Sequence, residues 1–165
     1  MDLTPERQWN HAQVLRARAG AFPAPGLPGP YILDSWSRSM RSGLHFSDAL
    51  PPPVVVDADL RRRRENAAFV RRLAQAELET LAQQIAGSNF LLAFADPDGV
   101  ILDLYADNRF AMSSDDAGIV AGSCWTESVC GTNGLGTALA SGQPVSVSGP
   151  EHYLLRLGQI GRAHV

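Results

Sequence analysis

The spacing of apolar residues changes several times along this chain, and each change marks a new element. Pro5 to Arg18 carries Trp9, Ala12 and Leu15 at helical spacing, with Thr4 placed as an N-cap ahead of Pro5. FPAPGLPGP, from Phe22 to Pro30, interrupts the pattern, because its prolines lack N–H donors and its glycines cost backbone entropy. A helix resumes over YILDSWSRSMRSG, with Ile32, Trp36 and Met40 on one face and Gly43 as its stop. PPPVVV, Pro51 to Val56, reads as an extended lead-in. The strongest periodicity comes next. From Asp57 or Asp59 to Ala86, the residues Val70, Ala74, Leu78, Leu81 and Ile85 recur every three or four positions, and Gly87 ends the helix. A long helix with one apolar stripe suits packing against a sheet or a partner helix.

After Gly87 the period shortens. FLLAFA (Phe90 to Ala95) and VILDLYA (Val100 to Ala106) flank DPDG, which has proline and glycine where a type I turn favours them. Two runs around such a turn predict an antiparallel hairpin, and the unbroken apolar first strand predicts cover on both its faces. Asp107–Met112 and Ser114–Val120 read as short helices or turns. Cys124 to Val129 fits one helical turn broken at Gly131. Thr132 or Asn133 caps a helix over Gly134–Ala140, which Gly142 ends before a strand in PVSVSG. The sum is an α+β fold: a helical N-terminal segment leading into an antiparallel sheet with covering helices.

Composition narrows the function classes. The chain has 165 residues, 45% hydrophobic and 19% charged, with a formal net charge of -3. It contains no lysine. That balance gives no reason to expect direct nucleic-acid contact by this segment. No apolar run approaches the roughly 20 residues that span a bilayer, and MDLTPERQWNHAQVLRARAG lacks the apolar core of a secretory signal. Cys124 and Cys130 form neither a disulfide framework nor a zinc spacing, so a reduced, cytoplasmic protein without metal or cofactor is expected.

The stretch GSCWTESVCGTNGLGTALASGQPV, Gly122 to Val145, concentrates the candidate chemistry. As a phosphate cradle it fails, since Gly131, Gly134 and Gly136 have the wrong spacing and no lysine follows. As a thiol site it offers Cys124 or Cys130, with Cys130 just ahead of a helix start that could lower its pKa. As the wall of a ligand pocket it offers Cys124, Trp125, Glu127, Thr132 and Asn133: an apolar face with a few convergent polar groups. The plainer alternative makes Trp125 core and Asn133 only a cap. Elsewhere, Arg61 to Arg64 read as a solvated face with Glu65, and turn chemistry accounts for Asp96 and Asp98.

W-T-E-x-x-x-G-T-N-G-L-G-T-A-L-A-S-G-Q-P-V-x-V-x-G-x-E-H-Y, Trp125 to Tyr153, resembles the GAF-type sensor domain of acetoin-catabolism-type bacterial transcriptional activators. SWSRSMRSGL (Ser35 to Leu44) and the stretch Arg61 to Leu102 are similar to that family's leading segment, linking helix and first hairpin. The resemblance implies an N-terminal regulatory domain that senses a small effector or partner. In the family it precedes a sigma-54-dependent ATPase and a Fis-type DNA-binding end, neither of which this chain contains. It divides the chain into a leading segment (1–56), a long linking helix (57–88) and a partial GAF-like domain (89–158). The helix Asp59–Ala86 is the expected route to a homodimer. The alternatives are a stand-alone thiol redox enzyme using Cys124 or Cys130, and a ligand-free dimerisation module.

The final residues raise a separate expectation. Codons CAG ATC GGA AGA GCA CAC GTC would encode Gln159 to Val165 and also spell the start of a common sequencing adapter, whose next triplet is a stop. Residues 159–165 are therefore expected to be a non-native tail on a C-terminally truncated sensor domain.

Overall fold

A computed structural model describes residues 28–88, 90–106 and 118–159. The helix expected over Pro5–Arg18, most of the Phe22–Pro30 break, the turns expected within 107–117 and the tail Ile160–Val165 lie outside the described residues. The described chain gathers into two compact units. One joins residues 28–50 to 126–159, and the other lies within Pro51–Trp125.

In the first unit, helix α1 (Pro30–Arg41) starts with proline at its first turn and buries Ile32, Ser35, Trp36, Ser39 and Met40. These positions recur at three and four residues, so one face of the helix is sealed. Most of the exposed or half-exposed positions, including Arg38 and Arg41, lie toward the other side.

The second unit opens with helices α2 (Asp57–Asn66) and α3 (Ala68–Ile85). A single long helix was expected here; Ala67, at φ -89° and ψ 4°, breaks it in two. The physical reason lies in the arginine run. Arg63 donates to Asp59 within the helix and to Asp96 (2.7 Å) and Asp98 (2.9 Å) in the hairpin turn. Arg64 donates twice to the carbonyl of Leu102, while Arg71, one turn beyond the break, forms two 2.7 Å bonds to Asp103. The two helices are thus clamped to the hairpin at separate points. The expectation of a solvated basic face is corrected for Arg63 and Arg64, whereas Arg61 and Arg62 are exposed.

Strands β1 (Leu91–Ala95) and β2 (Ile101–Ala106) form the predicted antiparallel hairpin, with Leu91 opposite Ala106 and a bulge after Phe94. Asp96 builds its turn: Oδ1 accepts the N–H groups of Asp98 and Val100, each at 3.0 Å, and Gly99 closes it at φ 78°. Cover on both faces of β1 is not observed, for all five residues are only half-buried. Residues 122–125 run alongside the hairpin base, pairing with Ile101 and Gly99 on one side and with Pro53 and Val55 on the other. The helices and the antiparallel pair make the fold α+β.

The ion pairs of this unit carry a pH prediction. Hydrogen bonds from Arg63 and then Arg62 hold the Asp59 carboxyl below its ordinary value of 3.8. A depressed carboxyl stabilises the fold above its unfolded pKa, and that contribution is lost as pH falls through the lower folded value. Asp59→Asn is therefore expected to lower stability at neutral pH and to flatten the acid limb below about pH 4. Urea melts between pH 2 and 7 would show it, and parallel curves for both proteins would rule it out.

Candidate functional site

The signature stretch folds around two reversals. Thr126 is extended and leads into the one-turn helix α4 (Glu127–Cys130), which Gly131 ends at φ 65° and ψ -163°. Asn133 then caps α5 (Gly134–Ser141): its Oδ1 accepts the N–H of Gly136 at 2.8 Å, and its Nδ2 donates to Gly131 O at 2.8 Å. Gly142 closes α5 in the left-handed conformation, as expected. The strand expected in PVSVSG does not form. Residues 144–148 are irregular, Tyr31 donates its hydroxyl to Ser146 O, and Ser148 and Glu151 form a capping box for the 3₁₀ turn Gly149–Glu151. Alternation of Val145 and Val147 is a local signal, whereas a strand needs a hydrogen-bonded neighbour.

A buried polar cluster joins this stretch to α1. Arg38 meets Glu127 edge-on, Nε to Oε2 at 2.6 Å and Nη2 to Oε1 at 2.9 Å. The side-chain bond to Glu127 is also what raises the Arg38 pKa. Ser35 lies within hydrogen-bond distance of Glu127 Oε1, of Thr132 Oγ1 (2.6 Å) and of Thr137 Oγ1 (3.2 Å). A carboxylate can only accept, so Ser35 donates to Glu127 and receives the Thr132 and Thr137 hydroxyl protons. Thr137 Oγ1 in turn accepts the N–H of Asn133. Each member is satisfied within the cluster. Around it, Trp36 donates to Glu151 O at 2.7 Å, and Tyr153 donates to Leu44 O at 2.9 Å. The two ends of the described chain are thereby tied into one body.

The five residues singled out from sequence fall in both units. Glu127, Thr132 and Asn133 are buried members of the α1 cluster and the α5 cap. Cys124 and Trp125 belong to the Pro51–Trp125 unit, where Trp125 donates its indole N–H to Ser123 and Cys124 Sγ lies 3.8 Å from Asp98 O. Cys130 is fully buried. A groove of about 230 Å³ lies elsewhere in the second unit, between α3 and β2, lined by Arg71, Arg72, Gln75 and Tyr105 among others. Sequence reasoning did not single out Ser35 or Arg38 as site residues. Their only signal was a place in the SWSRS motif, because the partner at position 127 is brought near by folding alone.

Comparison with known proteins places this arrangement. The family model described as MimR, N-terminal domain, matches residues 7–164. The chain belongs to that family.

Among its relatives is the propane 2-monooxygenase operon transcriptional activator MimR of Mycolicibacterium goodii, 32% identical over 146 residues, covering 88% of this chain and 24% of the relative. The acetoin dehydrogenase operon transcriptional activator AcoR of Bacillus subtilis is 32% identical over 122 residues, covering 74% of this chain and 20% of the relative. The acetoin catabolism regulatory protein of Cupriavidus necator is likewise 32% identical, over 123 residues. This chain therefore spans about a quarter of the length of such relatives or less. The crystal structure of the E. coli DhaR(N)–DhaL complex contains a similar fold, with a TM-score of 0.75 at 23% identity, covering 79% of this chain and 44% of that one. The chain is thus an N-terminal sensor domain of the kind carried by these activators, and its relatives are named as regulators rather than enzymes. Among the described residues no helix is long and apolar enough to cross a membrane.

Proposed function

We propose that this domain is a GAF-type sensor at the front of a cytoplasmic, sigma-54-dependent activator of the Fis family. In this reading it responds to a small effector or a protein partner and biases an output domain further along the protein. The relatives control acetoin dehydrogenase and propane 2-monooxygenase operons, so a small metabolite of such an operon is the expected signal, with acetoin as the first probe. The observation that carries the reading is the buried cluster between α1 and the signature stretch. A closed ion pair either holds or opens, and a ligand that prefers one arrangement shifts the balance between them. Glu127, Thr132 and Asn133 then serve in coupling, and Cys124 and Trp125 are the candidate effector contacts. The test is a promoter reporter driven by the full-length activator, with and without acetoin. Arg38→Ala is expected to change the ratio of induced to basal expression at equal protein abundance. An unchanged ratio would remove the cluster from signalling.

A homodimer through α3 is supported by its outward face, where Phe69, Val70 and Leu73 are 66%, 54% and 66% exposed. A second copy laid along the helix would cover them. Leu73→Glu is expected to convert a dimer to a monomer in sedimentation equilibrium; a wild-type monomer at high concentration would exclude the arrangement. The DhaR N-terminal region was solved in complex with DhaL, which makes a protein partner a second candidate signal for this domain. The thiol-enzyme alternative draws little support from Cys130, since a reactive thiolate needs access that a fully buried sulfur lacks.

A further inference from the structure

Arg156 lies in the segment that closes the first unit. The backbone there is pinned on both sides of it: Leu155 donates its N–H to Phe46 O at 2.9 Å, and Leu157 donates to Leu154 O at 3.1 Å. Tyr153, Leu154 and Leu157 are almost fully buried around it in sequence. Within the guanidinium, Nε and Nη2 are buried and have no hydrogen-bond partner. Among the described residues no other buried side-chain nitrogen or oxygen is left this way. These two atoms are not a random pair. They form one edge of the planar fork, with parallel N–H bonds set at the spacing of two carboxylate oxygens. Arg38 uses the same edge, Nε with Nη2, to hold the two oxygens of Glu127. A buried donor without a partner loses its hydration and gains nothing in exchange, and the loss is greater on a charged group.

We propose that the Nε–Nη2 edge of Arg156 is a receptor for a carboxylate, separate from the α1 cluster and independent of the effector reading above. A singly charged, planar anion suits the site better than phosphate. One guanidinium balances one negative charge, and Arg38, in the same unit, is already committed to Glu127. The carboxylate comes either from a small organic acid or from an Asp or Glu side chain of the longer protein.

The test follows the Arg156 Nε–H resonance of this chain by nitrogen-15 NMR while sodium acetate is titrated against sodium chloride at constant ionic strength. Disappearance of the resonance in Arg156→Lys assigns it. Acetate is expected to move the peak saturably and chloride to leave it unchanged. Arg156→Lys, which keeps the charge and loses the fork, should weaken the acetate-dependent rise in melting temperature about tenfold in affinity. Arg156→Met gives a second readout: in acetate-free buffer it should melt at or above the wild type, because the two buried donors without a partner are gone, and acetate should no longer raise its melting point. Repeating the titration on the full-length protein separates the sources. A retained response points to a small acid, and a peak already shifted and insensitive to acetate points to an internal carboxylate. A peak that responds equally to chloride and acetate, or a melting response that survives Arg156→Met, would overturn the proposal.

Discussion

Glu127→Ala is expected to cost about 3 kcal/mol of unfolding free energy. Breaking a buried ion pair by removing one partner typically costs about 3–5 kcal/mol, because the surviving charge is left uncompensated. Glu127 is only 6% exposed, but Arg38 is 33% exposed, so water can take over part of its solvation and the lower end applies. Ser35 adds to the loss, since its hydroxyl proton has no other carboxylate to reach. A double-mutant cycle with Arg38→Ala isolates the pair. Coupling of about 2 kcal/mol in urea melts is expected, and additive effects would mean that the two side chains stabilise the fold separately.

Gly131→Ala is expected to be worse, at about 4 kcal/mol, for two independent reasons. At φ 65° and ψ -163° the backbone occupies a region that is essentially closed to residues with a side chain, worth roughly 1–3 kcal/mol. An added Cβ would also stand 2.9 Å from Tyr153 Cβ and 3.1 Å from its ring, and Tyr153 is 2% exposed and tethered through its hydroxyl to Leu44. Relieving such a clash typically costs a further 1–3 kcal/mol or so. Gly142 is the control. It has nearly the same φ, 64°, but ψ is 21° and nothing lies within 4 Å of its Cβ position. Gly142→Ala should therefore cost only about 1–2 kcal/mol. Equal losses at the two positions in parallel denaturation curves would show that Tyr153 does not hold its place.

Much of the local structure was legible in the chain. The hairpin turn, the Asn133 cap, the Gly142 stop and the sealed face of α1 each depend on residues within about one turn of one another. Such signals survive in a linear reading because the groups that interact are neighbours in sequence. The same reasoning failed where stability comes from elsewhere. It joined α2 to α3 because neither proline nor glycine falls between Asp57 and Ala86 to mark a stop; the clamps from Arg63 and Arg64 to the hairpin turn and β2 join residues more than 30 positions apart and leave no local signal. It drew a strand in PVSVSG because two valines alternate, although strand formation is settled by a neighbour.

Sequence alone determined the class of the chain. The α+β order of elements and the density of signature residues from Trp125 to Tyr153 led to the activator family, and the family match over residues 7–164 supports that assignment. It also drew attention to Glu127, Thr132 and Asn133, which the fold buries. What those residues touch was decided only by tertiary structure. Ser35 and Glu127 stand 92 positions apart, and nothing in the spacing of either segment specifies that one hydroxyl will serve a carboxylate and two threonines. Arg156 is a sharper case: as a letter it is one arginine in a leucine-rich run, and only the burial of one edge of its guanidinium, with no acceptor opposite, gives it a role. Charge and period are properties of a sequence. Desolvation is a property of the fold, and it decides which charges need partners.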